Sequence, residues 1–446
     1  MQRRTFMQTA GAAAWTALSA GKVLGANERV RVALIGCGGR GRTVMREMLG
    51  ASQTELVAAC DVYDPHAQRA STDMAGGKAQ TFRDFRKLLE MSDVDAVLVA
   101  TPDHWHSIPA VLALEAGKHV LVEKPFALTI KEGRAMVEAA KRTGRLLMPA
   151  TQHRSAPHIA EAARMVQAGQ IGEVNLVRAW NSNNNAQNPA AKVADSDPPE
   201  GLDWDFYLGP SPKAPYNQTR FRNYRVYYDY SGGYITDFGN HRIDSIHQIM
   251  NVQSPLAVSA VGRRIMKNTP GDIFDLHTVT YEYPTFIMEY AANWVNGHGL
   301  GGRYEGHNYY SMRGSYDRPH GLAFYGTKGT LMVDRIGWEL YIEPERRGAQ
   351  DPPSAASQGS RKAFQGEDAT ALHAQNFVKQ LRLGHKGEVD EMTGHTSTAT
   401  CHLGTIAAKV GRRLTWNAAK ESFENDAEAS ALLSRKLREG YAWIKI

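Results

Sequence analysis

The sequence predicts an α/β protein in two parts: a doubly wound parallel sheet first, then a second α/β domain built on antiparallel strands. Three observations carry this. An almost unbroken apolar strand from Val30 to Ile35 runs straight into a glycine-rich loop, Gly36-Cys-Gly-Gly-Arg-Gly41. From there to Pro149, apolar strands alternate with helical segments. Beyond Thr151 the alternation gives way to short strands of period two. At 446 residues the chain exceeds one ordinary core, which makes a division near residue 150 natural.

Residues 1–26 stand outside the fold. Arg3-Arg4-Thr5-Phe6-Met7 precedes an alanine-rich, weakly apolar stretch reaching about Gly21. Paired arginines before such a segment resemble a twin-arginine export signal, with cleavage after Ala26 and a periplasmic destination. The alternative is a disordered tail with two chance arginines. The apolar part is too short, and too broken by Gly and Thr, to span a bilayer.

Hydrophobic content of 42% and charged content of 22% are those of a globular protein. Net charge is +6, but the cations are scattered, which argues against a nucleic-acid partner. Cys37, Cys60 and Cys401 form neither a CxxC pair nor a zinc pattern and read as small buried residues.

The first domain is expected over 27–150. A strand with few polar residues suits a parallel sheet covered on both faces. Helical spacing follows from Arg42 to Leu49, and further strands are expected at 55–61, 96–100, 119–123 and 145–149. Thr129-Ile-Lys-Glu132 has the form of a capping box opening one of the intervening helices. Such alternation implies right-handed crossovers.

The glycine loop follows a strand, opens a helix, and is followed by an acid, Asp61. Gly36, Gly38, Gly39, Arg40 and Gly41 would let backbone approach a pyrophosphate, whose charge the helix amino terminus favours. Asp61 would accept hydrogen bonds from an adenosine ribose and repel a 2′-phosphate, so NAD is favoured over NADP. Arg40 and Arg42 temper that preference. Asp61 reads alternatively as a turn-former before Pro65. Thr101 and Pro102 leave the carboxyl end of the next strand, where loops line a ligand crevice. His104 and His106 either line it too or cap the following helix.

Lys124 is the leading catalytic candidate. It lies beside Pro125 at the end of the buried strand His119-Val-Leu-Val-Glu123, a poor place for a solvated charge. Partial burial beside a nicotinamide suits it to acid–base work. The alternative is a lysine paired with Glu123 to hold the loop. The second constellation lies in Gly232-Gly-Tyr-Ile-Thr-Asp-Phe-Gly-Asn-His241-Arg-Ile-Asp-Ser-Ile-His247. On a helix, Asp237 and His241 share a face, as do Asn240 and Asp244. A carboxylate one turn away can orient an imidazole and support its protonated form. Metal binding through His241, Asp244 and His247 fits the spacing, but no separate ligand cluster accompanies it, and no metal is expected.

Gly36–Gly41, Ala100-Thr-Pro-Asp-His-Trp-His106, Gly117-Lys-His-Val-Leu-Val-Glu-Lys-Pro125 and Asp237-Phe-Gly-Asn-His241 together resemble the glucose–fructose oxidoreductase and inositol dehydrogenase (Gfo/Idh/MocA) family. The resemblance runs from about Val30 to the carboxyl end. It implies a Rossmann first domain and a second domain over 151–446 with a large, mostly antiparallel sheet, which commonly forms the oligomer contact. A homo-oligomer, dimer or tetramer, follows as an expectation. The family's catalytic lysine falls on Lys124, its aspartate and histidine on Asp237 and His241, and Glu123 would face the cofactor. With the leader and Leu202-Asp-Trp-Asp-Phe-Tyr-Leu-Gly-Pro210, the exported branch looks nearest. Some relatives use bound NAD in a glycosidase reaction, and these tend to lack Glu-Lys-Pro.

In the second domain Gln152-His153-Arg154 would face the cleft, with Gln152 towards the cofactor and Arg154 towards substrate. A helix is expected at 158–169, a strand at 174–181, and an Asn/Ala/Pro-rich insertion at 181–200. Strands at 259–265, 276–283, 286–294, 320–326 and 329–333 suggest the antiparallel sheet. Arg220, Arg222, Tyr224, Arg225, Tyr227, Tyr228 and Tyr230 gather before the Asp/His segment. Stacking planes of this kind suit a sugar ring, Tyr228 included, and equally a sheet edge or dimer surface. Residues 297–318 read as a loop over the cleft, 347–367 as a flexible insertion, and 372–383 and 396–414 as helices. The whole reads as an NAD-dependent dehydrogenase of a sugar, glycoside or cyclitol hydroxyl, with Lys124 and the Asp237/His241 pair handling the proton. The competing readings are an NAD-recycling glycosidase or lyase working through a transient keto-sugar, and a non-catalytic binding module.

Overall fold

The structure, a computed structural model, describes residues 29–300, 318–335, 337–343, 361–366, 368–384, 387 and 389–445. The leader and most of the 297–318 loop lie outside these residues.

The first sheet contains β1 (Val30–Ile35), β2 (Thr54–Cys60), β3 (Gln80–Phe82), β4 (Ala96–Val99), β5 (His119–Val122) and β6 (Leu147–Pro149). They are ordered β3-β2-β1-β4-β5-β6, and all pairs are parallel. The order reverses beside β1, so β1 and β4 open a crevice at their carboxyl ends. The central strands are buried along almost their whole length, as their unbroken apolar runs require. Edge strand β3 escapes sequence detection because it is short and largely exposed. The helix Ile130–Thr143 starts at Thr129, whose Oγ accepts from the Glu132 amide, and stops at Gly144, where φ is +66°. The expected capping box is not completed. The Glu132 carboxylate does not return to the Thr129 amide; it is buried and accepts from Ser107, the Thr129 hydroxyl and Arg435.

The second sheet adds β7 (Val174–Ser182), β8 (Ala257–Arg263), β9 (Leu276–Glu282), β10 (Ile287–Asn293), β11 (His320–Gly326), β12 (Gly329–Val333), β13 (Gly337–Ile342), β14 (Arg361–Gln365), β15 (Leu414–Asn417) and β16 (Ser422–Phe423). Their order is β14-β13-β12-β11-β7-β10-β9-β8-β15-β16. Within this second sheet, β7 and β10 form the one parallel pair among the described strands. The span 347–367, expected to be flexible, contains β14. It is held by backbone pairing to β13 and by the stacking of Phe364 on Trp338, a contact no burial pattern announces. The expected helix at 396–414 instead occupies Glu391–Val410 behind an Asp390 cap, and Leu414 already begins β15.

The cores of the first domain also take in segments from the carboxyl-terminal part of the chain. The helix Thr370–Leu383 lays Ala374, Phe377, Val378 and Leu381 against the first domain, in one cluster with Val44, Met45 and Met48 of the helix Gly39–Leu49. Ile444 joins the core on the opposite face of the first sheet, with Tyr441 and Trp443 packed against it. Burying one such aromatic fully contributes about 1.5–3 kcal/mol. Cys37, Cys60 and Cys401 are free and buried.

Candidate active site

Gly36 leaves β1 at φ +92°, and a Cβ there would lie 2.5 Å from the carbonyl carbon of Ala100. At Gly41 a Cβ would meet the Gly36 carbonyl oxygen at 2.1 Å. Those two glycines let the helix Gly39–Leu49 pack tightly on the strand ends. Gly38 and Gly39 differ: nothing lies within 4 Å of a Cβ built on either. Their open side faces a cavity of about 520 Å³, and no side chain caps the helix at Gly38. Unpaired backbone N–H groups over open space make a seat for an anion. The residues therefore fit a dinucleotide pyrophosphate.

Asp61 lines the same cavity. Its carboxylate accepts from the amides of Cys37 at 2.7 Å and Tyr63 at 2.9 Å. It thus serves as the turn-former and still presents an acid to the cavity. Thr101, Pro102 and His106 line the opposite wall. The His106 ring nitrogens lie 2.7 Å from the Pro125 carbonyl and 2.9 Å from that of Thr101, tying two loops together. His104 instead is buried against the Tyr207 carbonyl at 2.9 Å. From the second domain, Pro199, Tyr216, Phe221 and Arg222 complete the cavity.

Arg40 reaches from the glycine loop to Glu123, with Nε 2.7 Å from Oε1. Glu123 in turn accepts from the Lys124 amide. Lys124, whose bond to Pro125 is cis, extends Nζ across the domain boundary. It donates to the Asp237 carbonyl at 2.8 Å and to Oδ1 of the same residue. Arg225 Nε approaches that Oδ1 at 3.2 Å. Burial alone would raise the Asp237 carboxyl, but the Lys124 ammonium and Arg225 guanidinium hold it below the usual carboxylate range.

The expected pairing of Asp237 with His241 does not form. Ile235–Gly239 is a π-helical turn leading into the α-helix Asn240–Met250, and its i→i+5 winding breaks the spacing on which the expectation rested. His241 instead stacks on His153, with ring centroids 4.8 Å apart, and its Nδ1 has no hydrogen-bond partner. Burial, then the nearby His153 and the cations Lys124, Arg335 and Arg242, push its pKa well below the ordinary imidazole value, so it is neutral.

Beside Lys124, the partly exposed Phe238 ring lies 5.7 Å from Nζ. Trp294 packs on Phe238, and Tyr234 stacks on Trp294 at 4.1 Å. This aromatic face, with the buried Trp294 indole N–H still without a partner, suits the C–H face and hydroxyl rim of a sugar ring.

Gln152, Arg154 and Tyr228 do not reach the dinucleotide cavity. Arg154 is committed to the buried Asp244 at 2.8 Å, and Tyr228 lies under Lys409 and accepts from the Phe274 amide. Asn240 donates to Thr398, and His247 bonds the Tyr283 hydroxyl at 2.8 Å. No group of three or more metal-ligating side chains occurs among the described residues. Arg225 and Phe238 were the residues missed. Arg225 stood in a cationic, aromatic run, and Phe238 beside Asp237, without a spacing to single either out.

A family model described as "Oxidoreductase family, NAD-binding Rossmann fold" matches residues 30–151, and one for its "C-terminal alpha/beta domain" matches 174–287 and 361–443. An α-N-acetylgalactosaminidase of Shewanella oneidensis is 30% identical over 203 residues, 39% of this chain and 44% of that protein. A carboxy-chloro-dihydroxycyclohexadiene dehydrogenase of Comamonas testosteroni is 30% identical over 152 residues, 34% of this chain and 38% of that protein. The chain thus spans less than half the length of these relatives. Levoglucosan dehydrogenase in complex with NADH and levoglucosan superposes with a TM-score of 0.66 at 18% identity, covering 87% of this chain and 99% of that one. An aldose-aldose oxidoreductase of Caulobacter crescentus gives a TM-score of 0.62 at 18% identity, covering 87% and 100%. The fold is shared with both. The protein belongs to the Gfo/Idh/MocA oxidoreductase family, with an NAD-binding Rossmann domain followed by the family's C-terminal α/β domain.

Proposed function

We propose that the protein is an NAD-dependent dehydrogenase oxidising a secondary hydroxyl of a sugar, glycoside or cyclitol. The observation that carries this is the Lys124–Asp237 contact at the end of β5, where the dinucleotide cavity meets the aromatic face of Phe238 and Trp294. When bound, NAD supplies the hydride acceptor. In its neutral amine form Lys124 Nζ would take the hydroxyl proton, and Asp237 Oδ1, its hydrogen-bond partner, would stabilise the ammonium that results. Neutral His241 would orient the hydroxyl through a ring nitrogen rather than as a charged acid. Gly36, Gly38, Gly39, Arg40, Gly41, Asp61, Thr101, Pro102, His106 and Glu123 would hold the cofactor.

The test is NADH absorbance on incubation with NAD and a panel of pyranosides and cyclitols. Steady accumulation is expected. Lys124→Ala should lower turnover about a hundredfold to ten-thousandfold while NAD still binds; turnover near that of the unaltered protein would remove the lysine from the chemistry. The match to an α-N-acetylgalactosaminidase favours a second reading, a glycosidase or lyase that recycles its NAD through a keto-sugar. Product formed without NADH accumulation would select it.

Export by the twin-arginine route to the periplasm, with 1–26 as the signal, completes the proposal; Arg3-Arg4 and the weakly apolar stretch after them support it. Loss of export in an Arg3→Lys, Arg4→Lys variant would test it. Self-association is supported by exposed Val261, Leu276 and Ile287 on neighbouring strands β8, β9 and β10. Light scattering would measure it.

A further inference from the structure

Lys124 Nζ and Arg225 Nε converge on one atom, Oδ1 of Asp237, with Arg225 at 3.2 Å. The Asp237 side chain is 7% exposed and that of Lys124 12%. Arg225, at 38%, stands further into the cavity, which Lys124, Tyr224 and Arg225 all line. Two basic groups thus share one carboxylate. The other polar groups around them are already committed or neutral. Arg40 bonds Glu123, and the His106 ring bonds two backbone carbonyls. Burial keeps the Tyr224 phenol and the His241 ring uncharged, and it raises the Asp103 carboxyl, with Arg225 opposing.

The position of Arg225 is fixed from two sides. It belongs to the short turn Tyr224–Val226, and its guanidinium carbon lies 4.5 Å over the Tyr224 ring. The Tyr224 hydroxyl donates to Oδ1 of the buried Asp103 at 3.2 Å, just beyond the end of β4. A platform from the second domain is therefore anchored to the first. Stacking holds the guanidinium by its face and Asp237 holds it by its edge.

A lysine that accepts a hydroxyl proton must first be an amine. In an isolated Lys–Asp pair, loss of the lysine proton leaves a buried carboxylate without a counter-charge, which is costly. A guanidinium does not deprotonate in proteins. With Arg225 in place, the carboxylate stays compensated whichever form the lysine takes, and a second cation nearby disfavours the ammonium.

We propose that Arg225 is a positioning residue: it keeps the Asp237 carboxylate aimed and charge-balanced while Lys124 gives up its proton and takes one from the substrate hydroxyl. The proposal rests on the dehydrogenase reading above and goes beyond it in assigning the group that readies the lysine.

The experiment follows two quantities from neutral to alkaline pH. One is kcat/KM for NADH formation with a reacting sugar or cyclitol. The other is acetylation of Lys124 by acetic anhydride, counted by peptide mass spectrometry with and without NAD, which needs no turnover. Arg225→Gln should move the midpoints of both curves upward by about one pH unit or more, the effect of removing a charge at close range. At neutral pH, kcat/KM should then fall about tenfold or more, since each unit is a factor of ten in amine, while NAD affinity changes less. Arg225→Lys keeps the charge and should leave the midpoints nearer those of the unaltered protein. Should Arg225→Gln fail to fold, Arg225→Met, which keeps an unbranched stem over Tyr224, is measured in its place. An equal loss of activity at every pH with unmoved midpoints overturns the proposal and makes Arg225 structural. A fall in NAD affinity that matches the fall in kcat/KM overturns it too. NADH formation with both midpoints unmoved removes Arg225 from this role and leaves the dehydrogenase. An acetylation midpoint that moves, with no NADH from any sugar, supports the role of Arg225 and sinks the dehydrogenase.

Discussion

The two halves of the site are built differently. The dinucleotide half is made of backbone: glycines at 36, 38, 39 and 41, open N–H groups at a helix start, and an aspartate tied down by two amides. The half proposed to hold substrate is made of side chains from distant parts of the chain: Lys124, His153, Arg225, Asp237 and His241. Backbone geometry is set by neighbours in sequence, whereas side-chain partnership is set by the final packing. The first half is therefore robust to most surface changes but intolerant of a methyl group at certain glycines. The second half is sensitive to any exchange of charge.

The largest effect is expected in the side-chain half. Asp237→Ala strips Lys124 and Arg225 of their shared carboxylate, and turnover should fall about a hundredfold or more, as for loss of a proton-handling group. NAD affinity, measured by fluorescence quenching, should change much less. Comparable losses in both would erase the distinction between the halves. In the backbone half, Gly41→Ala places a Cβ 2.1 Å from the Gly36 oxygen. Relief requires the helix to move off the strand, so about 1–3 kcal/mol of stability should be lost in denaturant unfolding, with weaker NAD binding. Full NAD affinity in that variant would mean the loop adapts more freely than its geometry implies.

The smallest effect is confined to acid. Glu421 bonds His395 at 2.6 Å and Arg134, joining the two domains away from the site. Burial would raise its carboxyl, but hydrogen bonds from those two groups bring it from 4.5 to about 2. A carboxyl lowered on folding stabilises the native state above its unfolded pKa, and the gain is lost as pH falls through the folded one. Glu421→Gln should therefore be less stable than the unaltered protein above pH 4.5, with the gap closing towards pH 2. A gap independent of pH over that range would show that packing, not charge, makes the link.

The same contrast explains what was legible beforehand. The parallel sheet, its glycine loop and Asp61 could be read because each is a local pattern with one structural solution. Lys124 was legible through its place at a buried strand end. The Asp237/His241 pairing was misread because an i, i+4 spacing presumes an α-helix, and the chain adopts a π turn there. Tyr228 was indistinguishable from Tyr224 in a tyrosine-rich run, yet only Tyr224 lines the cavity. Strand β14 carried no alternation, since its partner β13 supplies the order.

The packing of Phe377 and Ile444 into the first domain has a consequence for how the molecule is made. The cofactor-binding half is encoded at the start of the chain but sealed by segments translated near its end. A ribosome still holding those segments displays a parallel sheet with both faces incompletely covered. Maturation of the nucleotide site must therefore wait for Phe377 and Ile444 to emerge, and removing the segments that carry them should unsettle the part synthesised before them.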